Sequence, residues 1–311
     1  MSVPVSLIMP AWEPRSDWLR EAVASALRED CDVELVVVDD GSATPVESLL
    51  APDPRVRVIR TAHVGPYAAR NVGLAAARGT HVRFLDADDV VEAGSTTRLF
   101  AAVGDDEAIA YGATLMCDEA LNPVSTIAST LEGDVAPATV LGRFDVRVVS
   151  LLFPRAVLER AGPWDPSFPV SGDWDYVLRA VELAPVRRVD AVVTRYRRHG
   201  DSVTRTADVA AGGRAGRMVL AGYFARHPEQ RGTALQRRAY LRLHLDRAGA
   251  HRARREWRAA ARELRAAARR DPLATARWLS ARAARRAARG RRTRAGTRER
   301  GRGDRAAGPR P

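Results

Sequence analysis

Hydrophobic residues in the first part of the chain form short, nearly continuous runs, and these runs alternate with stretches of helical spacing. The apolar runs read as β-strands: VSLIM, VELVVVD, RVRVIR and HVRFLD. The helical patterns are EAVASALRE, PYAARNVGLAAARG and STTRLFAAV. Strands that are apolar along their whole length are covered on both faces. We therefore expect an α/β fold with a mostly parallel central sheet flanked by helices.

The alternation becomes irregular after about residue 105. Further strands are predicted in AIAYGATLM, FDVRVVSLLF and RRVDAVVTRYRRH, and helices in PRAVLERAG and DWDYVLRAVELA. The glycine at the end of PRAVLERAG is typical of a helix terminus.

Residues 208–289 have helical patterns throughout. Two apolar stripes predict a helical hairpin: Leu241, Leu245 and Ala248 in one helix, and Trp257, Ala261, Leu264 and Ala268 in the next. The final stretch is rich in Gly and Arg and nearly free of large apolar side chains, which predicts disorder. The chain accordingly divides into an α/β domain at residues 1–205, a basic α-helical extension at 206–289 and a disordered basic tail at 290–311.

Charge separates these parts more sharply than the total of +12 indicates. Residues 1–200 contain 20 arginines and 29 acidic residues, a net charge of −9, whereas residues 201–311 carry a net charge of +21. Every basic residue other than histidine is arginine. Genome-wide codon bias explains that choice better than a need for guanidinium groups does, so the position of the charge is more informative than its chemical type.

The remaining composition excludes several classes of protein. Cys31 and Cys117 are too few for a disulfide framework or a thiolate metal site. An uninterrupted apolar run of about 18 residues, which a membrane-spanning helix requires, does not occur in the sequence. We expect a cytoplasmic protein.

Candidate chemistry lies in the loops that follow the predicted strands, because ligands of open α/β sheets bind at the carboxyl ends of the strands. These loops contain PAWE, DDGS and DADD. The first one lacks the glycine pattern of a dinucleotide fold or a P-loop. In FLDADD, residues 84–89, three carboxylates follow one strand. Two charges about 4 Å apart repel by roughly 4 kcal/mol near a protein surface, so this cluster predicts a bound hard cation such as Mn²⁺ or Mg²⁺. A solvated acidic turn is the alternative.

Five segments in order resemble the inverting family 2 glycosyltransferases, whose fold is called GT-A. They are VSLIMPAW, VVVDDGS, GPYAARNVGLAAARGTHVRFLDADD, GPWDPSFPVSGDWDYVLR and YRRHGDSVT, and they cover residues 3–205. The resemblance implies a metal-dependent enzyme that moves a sugar from a nucleoside-diphosphate sugar to an acceptor hydroxyl. It also implies a role in synthesis of cell-envelope polysaccharide or glycoconjugates.

The resemblance implies a nucleotide-sugar site that begins in the first two loops. Trp12 stands where the family stacks an aromatic ring on the base. The alternative is an aromatic residue at the rim of the hydrophobic core. Asp40 matches the carboxylate that accepts the base N–H, which favours UDP or dTDP. Asp39 is expected to serve as a turn or helix-cap residue. Pro10, Trp12 and Glu13 replace the family's usual Thr or Ser, Tyr and Asn, which predicts a base pocket that differs in detail.

The resemblance places the phosphates and the metal at the later segments. Arg70 and Asn71 match a segment near the nucleotide and its phosphates, although Arg70 could be an ordinary surface partner of a carboxylate. Asp86 is implied to contact the ribose or the metal shell, and Asp88 the metal itself. His199 matches a histidine near the metal or diphosphate, with an ordinary polar loop residue as the alternative. Asp89, which follows Asp88 directly, is a candidate cap of the following helix.

The catalytic base implied by the resemblance is Asp173, at the start of the helix DWDYVLRAVE. A helix cap is the alternative role for this residue. Asp175 faces elsewhere on the helix. Many relatives carry Glu at the position before the base, where this chain has Gly172.

The expected partners are a nucleotide-sugar donor and a glycan or lipid-linked acceptor. The basic C-terminal part is a candidate for peripheral contact with anionic membrane at the inner face, and no specific nucleic acid is expected. Two alternatives to the transferase are retained. One is a nucleotidyltransferase, and the other is a catalytically silent relative whose basic C-terminal part binds nucleic acid or anionic membrane.

Overall fold

The structure, a computed structural model, describes residues 4–104, 106–200 and 208–281. The chain forms two compact units, residues 1–239 and residues 240–311. The predicted domain boundary at residue 205 and the predicted disordered tail at 290–311 lie outside the described residues.

The first unit starts with a parallel sheet in the order β3-β2-β1-β4. Its strands are β1 (Val5–Ala11), β2 (Val33–Asp39), β3 (Val56–Arg60) and β4 (His81–Phe84). Helices α1 (Ser16–Ala26) and α2 (Pro66–Ala76) connect them. β1 pairs with β2 from Val5 opposite Val33 to Ala11 opposite Asp39, so both strands end at the same edge. This register brings the first two candidate loops together.

Beyond β4 the sheet becomes mixed, and it continues in the order β4-β8-β6-β9-β5. β8 is antiparallel to both β4 and β6, whereas β9 is parallel to β6. The elements of this part are β5 (Val90–Val91), α3 (Ser95–Val103), β6 (Ile109–Cys117), β7 (Pro123–Ile127), α4 (Ala136–Val140), β8 (Leu151–Pro154), α5 (Arg155–Ala161), α6 (Gly172–Val181) and β9 (Val186–Arg197). The predicted α/β fold, with a sheet flanked by helices, is confirmed.

Three elements in this part were not predicted, and one prediction was too long. β5 has two residues and α4 has five, which is too short for a periodic signal, and the strand β7 is mostly exposed. The run FDVRVVSLLF was predicted as one strand, but Val148–Ser150 form a 3₁₀ turn and only Leu151–Pro154 belong to the sheet.

A fully buried arginine ties together the strands that lead to the candidate site. Arg83 in β4 donates hydrogen bonds to the hydroxyls of Ser95 and Thr96 in α3 and to the Val193 carbonyl in β9. Burial lowers the pKa of Arg83 to about 10. β4 leads to the acidic loop that contains Asp86, Asp88 and Asp89, and β9 leads to His199. Arg83 therefore holds together the two chain segments that carry the candidate metal ligands.

Helix α7 (Val209–Arg226) belongs to the first unit, and its Arg226 pairs with Glu182 at the end of α6. Helix α8 (Ala234–Ala253) follows, and the second unit contains α9 (Trp257–Arg270) and helical residues 272–281. No helix among the described residues has the length and apolar content needed to cross a membrane.

The predicted helical hairpin is confirmed in the second unit, with one shift of register. Leu241 and Leu245 of α8 pack with Ala267 of α9, as their stripe predicts. The buried face of α9, however, contains Ala260 and Ala267, and Trp257 is 60% exposed. The expectation that Trp257 faces the core is therefore wrong. The packed stripe runs opposite a row of arginines that must remain in water.

Candidate active site

The carboxyl ends of β1, β2 and β4 deliver three loops to one edge of the sheet. Glu13 links the first two: its backbone N–H donates to the Ser42 hydroxyl, and its carboxylate accepts the Ala43 N–H at 2.7 Å. Pro10 lies in β1, opposite Val38 of β2. The PAWE and DDGS segments thus form one connected rim.

Asp39 holds the DDGS turn. Its carboxylate accepts the backbone N–H groups of Ser42 at 2.9 Å and Val46 at 3.1 Å, and it pairs with Arg60 at 2.6 Å. Burial acts to raise the pKa of Asp39, but the two N–H donors and Arg60 outweigh it and hold that pKa below its ordinary value. The predicted turn role of Asp39 is confirmed.

Asp40 is also buried, and it holds a different loop. Its carboxylate accepts the backbone N–H groups of Val64 at 2.8 Å and Gly65 at 2.9 Å, and the Thr61 hydroxyl donates to it at 3.2 Å. These bonds fix the turn that begins α2. Recognition of a nucleotide base by Asp40 stays a prediction.

Trp12 is exposed at this rim rather than packed in the core. Its side chain is 57% exposed, and its ring centroid lies 4.7 Å from that of His63. A large flat apolar surface beside two buried carboxylates is a suitable platform for a heterocyclic base. His63 was not predicted for the site, because a histidine in a turn has no sequence signature of such stacking.

The loop after β4 gathers the three carboxylates of Asp86, Asp88 and Asp89, which offer oxygen atoms that all lie within 4.8 Å of one another. Burial, and then the charge of Asp86, raise the pKa of Asp88. Nε2 of His199 lies 2.8 Å from the Asp88 carboxylate, which opposes that shift. The structure therefore brings together Asp88 and His199, the two predicted metal ligands.

Asp89 is part of the cluster and does not cap a helix. It is followed by strand β5, and α3 begins only at Ser95, so the predicted cap role is wrong. One carboxylate oxygen accepts the Arg197 N–H at 2.8 Å, and the other is buried without a hydrogen-bond partner among the described residues. Burial, followed by the charges of Asp88 and Asp86, raises the pKa of Asp89 well above its ordinary value.

The cluster fits a hard divalent cation. Three carboxylates at close range, one of them with an unsatisfied buried oxygen, make an environment whose excess negative charge a cation would neutralise. A solvated acidic turn does not bury a carboxylate as Asp89 is buried here, because an ionised group in water keeps its hydration.

Arg70 connects the acidic loop to α2. It is buried and pairs with Asp86, and its guanidinium carbon lies 5.0 Å from the Trp164 ring centroid. Arg70 is thus a carboxylate partner, but not at the surface. The amide of Asn71 is engaged by the backbone of Trp164, with bonds of 2.9 and 2.8 Å to its carbonyl and N–H. These contacts hold Asn71 against the Trp164 backbone, and its role near the nucleotide stays a prediction.

Asp173 lies in the first turn of α6, and the N-cap residue of this helix is Ser171. The Asp173 carboxylate accepts the N–H of the adjacent Trp174 at 3.0 Å. Asp175, as predicted, faces elsewhere: it is buried and pairs with Arg179 at 2.8 Å. Arg179 in turn donates to the Pro163 carbonyl at 2.9 Å, which fixes the segment before Trp164.

Tyr67, which sequence analysis did not single out, joins the two sides of the site. Its hydroxyl accepts the Gly172 N–H at 2.9 Å, and its ring stacks on Trp164 with centroids 5.7 Å apart. Burial raises the pKa of Tyr67, and the charges of Asp173 and Asp86 both add to that effect.

Comparisons with known proteins agree with this geometry. The sequence profile described as "Glycosyl transferase family 2" matches residues 6–127. The PGL/p-HBAD biosynthesis glycosyltransferase of Mycobacterium bovis is 30% identical over 206 residues, which is 63% of this chain and 75% of that protein. This chain belongs to glycosyltransferase family 2.

Other family 2 relatives match over shorter segments. The succinoglycan biosynthesis protein ExoO of Rhizobium meliloti is 40% identical over 118 residues, covering 37% of this chain and 32% of ExoO. The uncharacterized glycosyltransferase EpsJ of Bacillus subtilis is 38% identical over 100 residues, covering 30% of this chain and 29% of EpsJ. The chain thus spans about a third of the length of these two relatives.

A solved structure shows the same fold. The crystal structure of S. aureus TarS 1–349 in complex with UDP-GlcNAc superposes with a TM-score of 0.57 at 18% identity, over 77% of this chain and 70% of that chain. The family 2 protein described here therefore has the GT-A fold.

Proposed function

We propose that this family 2 protein transfers a sugar, with inversion of configuration, from a UDP or dTDP sugar to an acceptor hydroxyl. The observation that carries the proposal is the Asp86, Asp88 and Asp89 cluster, which faces His199 at the carboxyl edge of the sheet. The relatives named for succinoglycan and PGL/p-HBAD biosynthesis support a role in cell-envelope polysaccharide or glycoconjugate synthesis.

The donor nucleotide is assigned to the rim formed by the first two loops. The exposed Trp12 ring would stack on the base, and Asp40 would accept the base N–H, with Pro10 at the floor of the rim. Arg70 holds Asp86 in place for the ribose, and its positive charge favours the diphosphate. Asn71 contributes by fixing the backbone of Trp164.

Asp88 and His199 would hold Mn²⁺ or Mg²⁺. The ion, when bound, supplies positive charge that stabilises the departing diphosphate. The His199 ring also contacts Trp18, with centroids 4.9 Å apart, so its orientation is set by packing as well as by Asp88.

Asp173 is assigned as the general base. Its carboxylate takes the proton of the acceptor hydroxyl while that oxygen bonds to the anomeric carbon. The bond from the anomeric carbon to the diphosphate oxygen breaks at the same time, with the electron pair leaving on the nucleoside diphosphate. Attack from the face opposite the leaving group inverts the configuration of the sugar. A positioned general base typically contributes about 10²–10⁴ in rate.

The assignments of Asp88 and Asp173 can be tested with Asp88→Asn and Asp173→Asn proteins, and with Asp190→Asn as a control whose side chain is 89% exposed. We expect Asp173→Asn to lower kcat by about 10²–10⁴ while Mn²⁺ binding is retained. Asp88→Asn should weaken Mn²⁺ binding, measured by electron paramagnetic resonance, and should abolish transfer. The control should behave as the wild type. Full activity of Asp173→Asn would remove the base assignment.

Product analysis separates the transferase from the nucleotidyltransferase alternative. A glycosyltransferase releases a nucleoside diphosphate and a glycosylated acceptor, whereas a nucleotidyltransferase releases pyrophosphate. Screening nucleotide sugars for Mn²⁺-dependent release of UDP or dTDP identifies the donor. Release of pyrophosphate from a nucleoside triphosphate and a sugar 1-phosphate, with no nucleoside diphosphate released from any nucleotide sugar, would overturn the proposal.

The basic second unit is assigned to peripheral contact with anionic lipid. Its helix α9 carries an exposed row that we call the arginine stripe: Arg258, Arg262, Arg265 and Arg269. The spacing of four, three and four residues aligns them on one helix face. That face lies opposite the packed residues Ala260 and Ala267. An exposed Trp257 begins the same helix, and tryptophan favours the membrane interface.

A further inference from the structure

Gly172, directly before the proposed base, has no room for a side chain. A Cβ atom built at this position would lie 2.7 Å from Cζ of Tyr67 and 3.0 Å from both Cε atoms. Contacts below 3 Å require something to move, and here the obstacle is a stacked ring rather than a flexible chain end. A side chain at position 172 would therefore meet the Tyr67 ring.

The same tyrosine completes the start of helix α6. Ser171, the N-cap residue, has φ of 56° and makes no side-chain capping bond. The N–H of Gly172, which a helix leaves without an internal partner, instead donates to the Tyr67 hydroxyl at 2.9 Å. A residue from α2 thus supplies the cap of the helix that carries Asp173.

Helix α2 reaches both sides of the site from one face. Tyr67 contacts α6, and Arg70, three residues further along, pairs with Asp86. Residues three apart in a helix point in nearly the same direction. Stacking of Tyr67 on Trp164, with an angle of 8° between the rings, prevents the tyrosine from swinging away.

We propose that Tyr67 is a positioning residue that sets the Asp173 carboxylate relative to the donor held at Asp86, and that Gly172 is its obligatory counterpart. The inference rests on the proposed function and adds to it the contact between Tyr67 and Gly172, which the reaction needs. Tyr67 does not touch the reacting atoms. It acts through the backbone of Gly172, and its effect should appear in kcat rather than in donor binding.

The hydroxyl is tested with Tyr67→Phe, which keeps the ring and its stacking. Loss of the hydrogen bond leaves a helix N–H unsatisfied at the residue before the base, and we expect kcat to fall about tenfold with the donor KM unchanged. The matched control is Tyr111→Phe, which removes a buried tyrosine hydrogen bond of 2.6 Å to the Leu131 carbonyl away from the site. Tyr111→Phe should lower the melting temperature about as much as Tyr67→Phe does, and it should leave kcat unchanged.

The fit between ring and glycine is tested with a double-mutant cycle. Gly172→Ala in the wild-type background should lower kcat about 100-fold, because displacement of α6 by an ångström misplaces the base. In the Tyr67→Ala background the ring that the added methyl group would meet is gone, and the same substitution should cost less than about threefold. All rates are measured well below each variant's melting temperature.

The measurements distinguish failure of this inference from failure of the proposed function. Wild-type kcat in Tyr67→Phe, or an equal cost of Gly172→Ala in both backgrounds, overturns the inference while leaving the proposed transferase intact. A wild-type protein that releases no nucleoside diphosphate from any nucleotide sugar overturns the proposed function, and this inference falls with it. A loss of melting temperature in Tyr67→Phe without a change in kcat assigns the tyrosine to folding alone.

Discussion

At the scale of single residues, two neighbouring aspartates of the site have separate structural duties. Asp39 accepts N–H groups of its own turn, whereas Asp40 accepts N–H groups of the turn that begins α2. Successive residues of an extended chain point in opposite directions, which explains why adjacent carboxylates serve different loops. The role of Asp39 can be predicted from the DDGS turn pattern. The hydrogen-bond partners of Asp40, however, are 24 and 25 residues away and have no local sequence signature.

The lowered pKa of Asp39 predicts a pH-dependent stability. A carboxyl group whose folded pKa is depressed stabilises the fold fully above its unfolded pKa of about 3.9, and that contribution is lost as the pH falls through the folded pKa. Asp39→Asn should therefore cost about 1–3 kcal/mol of unfolding free energy at pH 7, and the difference from the wild type should shrink below about pH 4.

Urea unfolding at a series of pH values measures this effect. Asp190→Asn, with an 89% exposed side chain, is the control and should follow the wild type at every pH. A difference between Asp39→Asn and the wild type that stays constant from pH 7 to pH 3 would contradict the assigned role of the ionised carboxylate.

At the scale of elements, the packing of α2 on the sheet sets where Tyr67 and Arg70 can reach. Gly73 of α2 faces β1, and a Cβ there would collide with Cγ2 of Ile8 and lie 3.2 Å from Cγ2 of Val38. The glycine thus allows close approach of helix and sheet. The sequence predicts the helix, but a glycine within a helical pattern does not reveal which strand it approaches.

The same substitution in two helices should have opposite effects. Gly73→Ala should destabilise the protein by about 1–3 kcal/mol, because the added methyl group overpacks the helix against the sheet. Gly212→Ala in α7 meets no atom within 4 Å and should stabilise the protein by roughly 0.5–1 kcal/mol through helix propensity.

Urea unfolding of both variants provides the comparison, and each serves as the control for the other. An unchanged or higher stability of Gly73→Ala would show that α2 can move away from β1 without loss. In that case the close approach would not be what positions Tyr67 and Arg70.

At the scale of the whole molecule, the chain separates an acidic catalytic part from a basic one. The net charge is −9 for residues 1–200 and +21 for residues 201–311. Like charges one helical turn apart destabilise a helix. Salt bridges in the described part of the second unit use Arg242, His244, Arg247 and His251, and the four arginines of the arginine stripe are exposed.

Membrane contact predicts a specific dependence on the arginine stripe. Each basic residue near an anionic bilayer contributes about 1 kcal/mol, so replacing all four by Gln should weaken binding to phosphatidylglycerol vesicles at least about tenfold. Sedimentation of the full chain with vesicles at low and high salt measures this, and higher salt should weaken wild-type binding.

The matched control changes four exposed arginines of the first unit to Gln: Arg28, Arg143, Arg214 and Arg217. It has the same net charge as the stripe variant and should retain binding. Equal losses in the two variants, or no wild-type binding at low salt, would contradict the assignment. Binding of random-sequence DNA through the stripe, measured by gel shift, would point to nucleic acid as the partner instead.

The sequence by itself determined the elements with strong periodicity, the turn at Asp39 and the gathering of three carboxylates after β4. These depend on local backbone preferences and on the fact that parallel strands end at one edge, so neighbouring residues carry the information. Resemblance to the family added Asp88 and His199, which the structure brings together.

Only the tertiary structure decided the contacts between distant segments. The insertion of β8 between β4 and β6, the engagement of Asn71 by Trp164, and the fit of Tyr67 to Gly172 join residues that are far apart in the chain. Such contacts depend on which surfaces meet when the core packs densely, and a glycine or a tyrosine has the same letter whether or not a partner fills the space beside it.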